Sequence, residues 1–310
     1  STSMKINPDE LLVTAKKVVI PALSKSMHKG QAGIIGVMGG CFEYTGAPYY
    51  SATSALKCGA DLAMVFCTEA AAVPIKSYSP ELIVHPIIAS KGSELTPEQS
   101  VNKLSKIITR LTALVIGPGL GRDPVVMETT EKVIHMSKNH DIPLILDGDA
   151  LWLLSQKKDL IDGHKHCVLL PNVPEFKRLQ TEEDQTAESL SKQYKATVVQ
   201  KQEKDRISCG DMSTICTATG SSRRCGGQGD VLAGSVGVFM GWAHKQINKE
   251  SAIPMNDDQK TKLKLSACLA ACTLVKDCNR SAFEKHYRGT TTIEIINEIP
   301  NCFHDLFEPE

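Results

Sequence analysis

Short apolar runs rich in branched residues recur along the chain: "GIIGVMGG", "LAMVFC", "LIVHPII", "ALVIGPGL", "LILDGDA", "CVLLPN" and "ATVVQKQ". Continuous runs of this length read as strands buried on both faces. Helical patterns stand between them, and that alternation predicts an α/β fold: a mostly parallel central sheet with helices on both faces. Several runs end in Gly, Asp or Asn where strand hands over to helix. In open α/β sheets that carboxyl edge is where ligands bind.

The intervening segments support the same reading. "APYYSATSALK" (Ala47 to Lys57), "LTPEQSVNKLSKIITRL" and "DPVVMETTEKVIHMSKN" have helical spacing, the last opening on Asp123 and Pro124 as cap and first turn. "QTEEDQTAESLSKQ" reads as a surface helix and "HKQINKESAIPMNDDQK" as a mobile surface loop. Beyond residue 210 the character changes. "STICTATG" predicts one or two antiparallel strands, followed by helices from Gly229 to Trp242 and from about Lys262 to Lys276, both rich in small residues suited to close packing.

With 310 residues, 42% of them hydrophobic, the chain can bury a large core, and residues 1–310 read as one domain whose first three are an expression remnant ahead of Met4. Lys plus Arg equal Asp plus Glu at 35 each, so no net field draws the protein to nucleic acid or an anionic membrane. Any anionic ligand must be held by local geometry. No run of about eighteen apolar residues and no secretory leader is present, which points to a soluble cytoplasmic protein, with a mitochondrial form whose presequence has been removed left open. The 11 cysteines are odd in number, scattered from Cys41 to Cys302 and without a C-x-x-C pair, so they read as reduced apolar fillers. Cys268 and Cys272 at helical spacing read as core packing, and His164 and His166 in "GHKH", with no third ligand nearby, as a solvated turn rather than a metal site.

Glycine-rich stretches invite nucleotide-binding readings, and two conventional ones fail. "GPGLGRD" follows a strand and precedes a helix, but Arg122 stands where G-x-G-x-x-G needs its third glycine, which argues against a dinucleotide dehydrogenase. No G-x-x-x-x-G-K-[ST] exists, so a P-loop is absent. "GSSRRCGGQGDVLAGSVGVF" is different in kind, because unhindered backbone N–H groups come immediately before an apolar helix. A helix start of that sort is an anion site without any lysine. Asp230 reads either as a plain N-cap or as a working acid, and the number of glycines, with Arg223 and Arg224 beside them, favours close approach of a phosphate chain. A carboxylate facing phosphate needs a task, and the task open to it is accepting a proton from a hydroxyl that attacks the terminal phosphoryl group. In "PNVPEFKRL", Asn172 and Glu175 flank a strand end and either orient a hydrated Mg²⁺ or simply open a helix.

G-G-x-G-D opening a helix, with N-x-x-E two strands earlier, resembles the ribokinase-like fold. Within it the chain resembles the ATP-dependent NAD(P)H-hydrate dehydratases of eukaryotes. The likeness rests on ordered segments from "HKGQAGIIGVMGGCFEYTGAPYYSATSALKCGADLAMVFC" through "SPELIVHP", "LVIGPGLGRDP", "LILDGDALWLL", "PNVPEFKRL" and "VVQKQEKD" to "GSSRRCGGQGDVLAGSVGVF", about residues 28 to 240, with "RGTTTIEIINEI" near the end. The resemblance implies ATP-dependent dehydration of the S epimer of NADHX or NADPHX to NADH or NADPH, releasing ADP and phosphate. Hydroxide is a poor leaving group, its conjugate acid having a pKa near 15.7, whereas phosphate has a second pKa of about 6, so phosphorylating the C6 hydroxyl eases elimination by roughly ten units.

Carried over residue by residue, the resemblance makes Asp230 the base and a substrate contact. It places ATP on Lys201, Gln202, Glu203, Lys204 and Asp205 and on the run Gly220, Ser221, Ser222, Arg223, Arg224, Cys225, Gly226, Gly227, Gln228 and Gly229. It places the hydrated dinucleotide on Gly119 and on Asn172, Val173, Pro174, Glu175, Phe176, Lys177 and Arg178, with Glu175 organising Mg²⁺ through water. Glu43, Tyr44, Thr45 and Gly46 face the same edge by analogy. No epimerase-like segment precedes the motifs in this chain, so the R epimer calls for a separate epimerase or spontaneous epimerisation; a homo-oligomer is left open. The rival readings are a small-molecule kinase that stops at the phosphorylated sugar or vitamin, and a catalytically silent adenine-nucleotide-binding protein.

Overall fold

The computed structural model describes residues 3–308, so the first two residues of the expected expression remnant lie outside the described residues. The chain begins with β1 (Met4–Lys5) and α1 (Pro8–Thr14), then alternates: β2 (Ile34–Met38), α2 (Gly46–Cys58), β3 (Leu62–Thr68), α3 (Glu69–Tyr78), β4 (Ile83–Ile88) and α4 (Pro97–Ile108). Next come β5 (Ala113–Ile116), α5 (Pro124–Ser137), β6 (Leu144–Leu146), α6 (Asp149–Gln156), β7 (Cys167–Leu169), α7 (Val173–Leu179) and α8 (Ala187–Tyr194). The last part holds β8 (Thr197–Gln200), β9 (Arg206–Cys209), β10 (Met212–Ile215), α9 (Gln228–Ile247), α10 (Asp257–His286) and α11 (Thr292–Phe307).

All the apolar runs read from the sequence are strands of one ten-stranded sheet, ordered β1-β10-β9-β8-β7-β6-β5-β2-β3-β4. From β8 to β4 every neighbouring pair is parallel, while β9 runs antiparallel to both β8 and β10. The α/β expectation holds. Alternation along each strand divides the core: Ile35, Val37, Val65 and Val115 face α2, α9, α10 and α11, while Met38, Met64, Phe66 and Ile116 face α4, α5 and α6. Among the described residues no helix is long and apolar enough to cross a membrane.

Helix α9 is buried around its whole circumference, from Val231 to His244. Such a helix belongs to the core rather than to the surface. It lies so close on α2 that a Cβ added to Gly234 would stand 2.0 Å from the Ser51 carbonyl oxygen. Phe239 anchors it, its ring centroid 5.4–5.8 Å from those of Trp242 and of Phe303 and Phe307 of α11. This packing holds the start of α9 at the carboxyl edge of the sheet.

Three expectations need correction. The stretch read as a mobile loop is a loop only over residues 248–256; its two ends are helical, since α9 runs to Ile247 and α10 starts at Asp257 behind an Asn256–Gln259 capping box. Polar composition misled there, because Trp242 and Lys245 tie the end of α9 to the carbonyls of Ala32 and Gln31. In "GHKH" the exposed Gly163 and Lys165 fit the expected solvated turn, but the two histidines do not. His164 is buried, with Nε2 3.1 Å from Ser137 Oγ, and the His166 ring meets that of His244 edge to face at 4.5 Å. Finally, β1 and α11 extend the fold beyond the elements read from the sequence, β1 pairing in parallel with β10. All eleven cysteines are free thiols, as expected.

Candidate active site

Adjacent strands deliver charge to one edge. Asp147 directly follows β6, Asn172 and Glu175 open α7 behind β7, and Lys201 directly follows β8, its N–H donating to the Pro171 carbonyl at 2.9 Å. The Lys201 Nζ stands 2.7 Å from Asp147 Oδ1 and 3.9 Å from Glu175 Oε2. The start of α9 closes over this pair: a Cβ at Gly229 would lie 3.3 Å from Lys201 Nζ and 3.7 Å from Asp147 Oδ2. Asp230 follows immediately, half-buried.

The N-cap reading of Asp230 is overturned. Helix α9 starts at Gln228, its cap is Gly227 in the left-handed region at φ 101°, and no side chain bonds the cap. Glycine is required there because a side chain would be strained and would meet the Tyr50 ring at 2.7 Å. Asp230 therefore sits inside the first turn with its carboxylate free of capping duty. The N–H groups of Gln228, Gly229 and Asp230 have no partner within the helix.

Three carboxylates share one ammonium, and their protonation reflects it. Burial, with Asp147 nearby, pushes Asp230 up to about 7, against the opposing pull of Lys201. Burial also raises Glu175, with Lys201 pulling the other way. For Lys201, burial acts to lower the pKa, but the carboxylates of Asp147, Glu175 and Asp230 outweigh it and hold the ammonium above its usual range. An acid poised near 7 is matched to proton transfer at neutral pH.

Beside this cluster opens a cleft of about 500 Å³, and it gathers two of the segments read as nucleotide-binding. Lys201, Gln202, Glu203 and Asp205 line one wall; Gly220, Ser221, Ser222, Arg224, Gln228 and Gly229 line the other. Not every expected residue lines it. Lys204 is exposed outside the cleft, and Arg223 sends its Nε 3.3 Å to the Thr290 carbonyl instead of into it. Cys225, Gly226 and Gly227 form the supporting turn, held by Thr292, whose hydroxyl donates to the Gly226 carbonyl at 2.5 Å.

The residues expected to meet the second substrate divide in the same way. Asn172 and Glu175 form a reciprocal capping box, Glu175 N–H to Asn172 Oδ1 at 2.9 Å and Asn172 N–H to Glu175 Oε2 at 2.8 Å. Thus Glu175 is both a helix-opening acid and a member of the cluster. Val173, Pro174, Lys177 and Arg178 are exposed, whereas Phe176 is 4% exposed and packs in the core. Gly119, at φ 61°, lies against the turn of Glu43 to Gly46, where a Cβ would come 2.8 Å from the Tyr44 carbonyl oxygen. Arg122, which spoils the dinucleotide fingerprint, bridges to Asp149 at 3.0 Å and stacks over Trp152 at 4.9 Å.

Sequence reasoning missed Asp147, Lys276 and Asn279. Asp147 is the first residue after a strand, which was its visible signal. Lys276 and Asn279 lie at i, i+3 in α10, read only as a packing helix. Lys276 Nζ donates to the carbonyls of Gln202 and Glu203 at 3.1 and 2.8 Å, and Asn279 Oδ1 accepts from Ser221 N–H at 2.6 Å. One polar pair thus pins both walls of the cleft.

Similarity to known proteins agrees with this layout. The NAD(P)H-hydrate dehydratase family profile matches residues 35–301. The human ATP-dependent (S)-NAD(P)H-hydrate dehydratase is 46% identical over 94% of this chain and 83% of its own length. A ribokinase-like superfamily protein of Enterococcus faecalis superposes with a TM-score of 0.75 at 21% identity, covering 99% of this chain and 97% of that one. The ADP/ATP-dependent NAD(P)H-hydrate dehydratase of Bacillus subtilis, co-crystallised with ATP and Mg²⁺, superposes at 0.66 with 19% identity, covering 98% and 99%. The structural likenesses speak for a shared ribokinase-like fold; with the family profile and the human relative, they place this chain in the NAD(P)H-hydrate dehydratase family.

Proposed function

We propose that the protein dehydrates the S epimer of hydrated NADH or NADPH at the expense of ATP. The observation that carries this reading is Asp230: a half-buried acid poised near 7, in the first turn of α9, beside a nucleotide-sized cleft. ATP lies in the cleft with its phosphates over the unpaired N–H groups that open α9. The hydrated ring enters from the side of Gly119 and Asn172. Asp230 accepts the proton of the C6 hydroxyl as its oxygen attacks the terminal phosphorus, and ADP leaves. The ring nitrogen then pushes out phosphate with the C6–O electron pair, and loss of a C5 proton completes the dihydronicotinamide. Lys201 holds Asp147 and Glu175 in place and offsets part of their charge.

Mg²⁺ belongs to the same reading. Asp147, Glu175 and Asp230 present an all-oxygen donor set with more negative charge than Lys201 balances, which suits a hard divalent cation. Glu175 commits Oε2 to the Asn172 amide, so a contact through water fits it better than chelation. Bound there, the ion would neutralise charge on the phosphates. The R epimer would be used only after epimerisation, whether enzymatic or spontaneous.

The test is recovery of 340 nm absorbance from purified hydrate with and without ATP and Mg²⁺. Recovery that depends on ATP, with one phosphate released per dinucleotide, supports the proposal. A stable phosphorylated product without free phosphate would point to a kinase, and no ATP-dependent change would overturn it.

A further inference from the structure

The opposite edge of the sheet carries a second cluster of ligand-bearing side chains. Asp141 lies between α5 and β6, His166 directly precedes β7, and His244 stands in the last turn of α9. One donor atom of each lies within 4.8 Å of the other two. His166 Nε2 is 3.3 Å from Asp141 Oδ1, and His244 Nε2 is 3.4 Å from Asp141 Oδ2. Donors bound tetrahedrally at about 2.0–2.1 Å from a cation stand about 3.4 Å apart. Each imidazole is already at that spacing from one of the two Asp141 carboxylate oxygens.

Burial adds an independent observation. The imidazole side chains are 15% and 9% exposed, whereas the carboxylate at the rim is 59% exposed. Each ring also has a buried Nδ1 without a hydrogen-bond partner. The cluster borders a cleft of about 460 Å³ lined also by His140 and Asn248, open enough to admit an ion and the water that would complete its coordination. Lys165 and Lys260 line the same cleft, so a cation would be held by donor geometry rather than by a net field.

We propose that Asp141, His166 and His244 form a binding site for one borderline divalent cation of the Zn²⁺ class, bound by two imidazoles and a carboxylate with water in the open position. Mixed nitrogen and oxygen donors favour such ions over Mg²⁺. His244 Nε2 lies 2.7 Å from the Asp141 carbonyl, to which it can donate, and 3.0 Å from the Asn248 side-chain amide, from which it can accept, so an ion would displace these contacts. The tautomer with its proton on Nδ1 frees the Nε2 lone pair for the ion. The site is separate from the catalytic edge, because fourteen residues of α9 between Asp230 and His244 correspond to about 21 Å at 1.5 Å per residue. It stands whether or not the dehydratase reading holds.

The test is titration of the metal-free full chain with Co²⁺, followed by its visible d–d bands, and with Zn²⁺ by calorimetry. One equivalent should bind with the spectrum of a nitrogen- and oxygen-ligated ion and raise the melting temperature. Asp141→Asn, a change at the rim that leaves the buried rings in place, and His166→Gln should each weaken binding by roughly a hundredfold. ATP-dependent turnover should not change in Asp141→Asn. Absence of stoichiometric binding, thiolate charge-transfer bands, or affinity unchanged in both variants would each overturn the proposal, the last two by assigning the ion to cysteines or to the catalytic acids.

Discussion

At the start of α9, Asp230 shares its surroundings with Asp147, Glu175 and one lysine; at the far end, His244 shares its own with His166 and a rim carboxylate. Burial disfavours charge at both ends, but in opposite directions on the pH scale. Asp230 is pushed up to about 7 by burial and by Asp147. His166 is pushed down to about 4 by burial, then by Lys264 and His244. The first end therefore holds an acid poised to move a proton, and the second holds a histidine, His166, kept neutral. One helix carries Asp230 at the carboxyl edge and His244 at the amino edge, and each end meets a different set of side chains from other elements.

The comparison breaks most sharply at Asp230. Replacing it with Asn should lower ATP-dependent dehydration by about 10²–10⁴-fold with the fold intact, as read by 340 nm recovery and circular dichroism. The same variant tests the pH linkage. Because the folded pKa lies above the unfolded value, Asp230 contributes stability that is full below about pH 4 and is lost as pH rises through about 7. Asp230→Asn should therefore match the unliganded wild type near pH 4 and exceed it above pH 7 by up to about 4 kcal/mol in urea unfolding. A constant offset across that range would show that the acid is not perturbed.

Lys201→Met tests the counter-charge. It leaves Asp147 buried without its partner and should cost about 3 kcal/mol of stability at neutral pH. A smaller effect is expected from Asn279→Ala, which strips the acceptor from Ser221 N–H. ATP should bind about tenfold more weakly, seen as a rise in KM with little change in kcat. The smallest effect belongs to the other end of α9: Asp141→Asn should leave turnover within error, and a large loss there would mean that the two ends are coupled.

The catalytic end was far more legible than the distal one, for a physical reason. The segment "GGQGD" is contiguous, and its glycines announce a turn whose backbone must be bare. Asp230 could be singled out within it, although its role stayed divided between cap and base until Gly227 was seen to cap the helix. The chain did not announce Asp147 as a partner of Lys201, because the residues are 54 apart and meet only where β6 and β8 end on the same edge. Lys276 and Asn279 were hidden by their setting, two polar residues in a helix whose small apolar face dominates its pattern. Asp141, His166 and His244 lie on three separate segments, and "GHKH" alone suggested water around side chains that are shielded from it.

Local sequence determined the strands, the parallel order of layers and the bare turn that opens α9, because hydrophobic period and glycine conformational freedom act over a few residues. Only the tertiary structure decided which distant charges share a low-dielectric site, and hence that one aspartate is poised near neutrality while His166 is held neutral. Those pKa shifts arise from burial and from neighbours tens of residues away in the chain, quantities that do not exist until the sheet has formed.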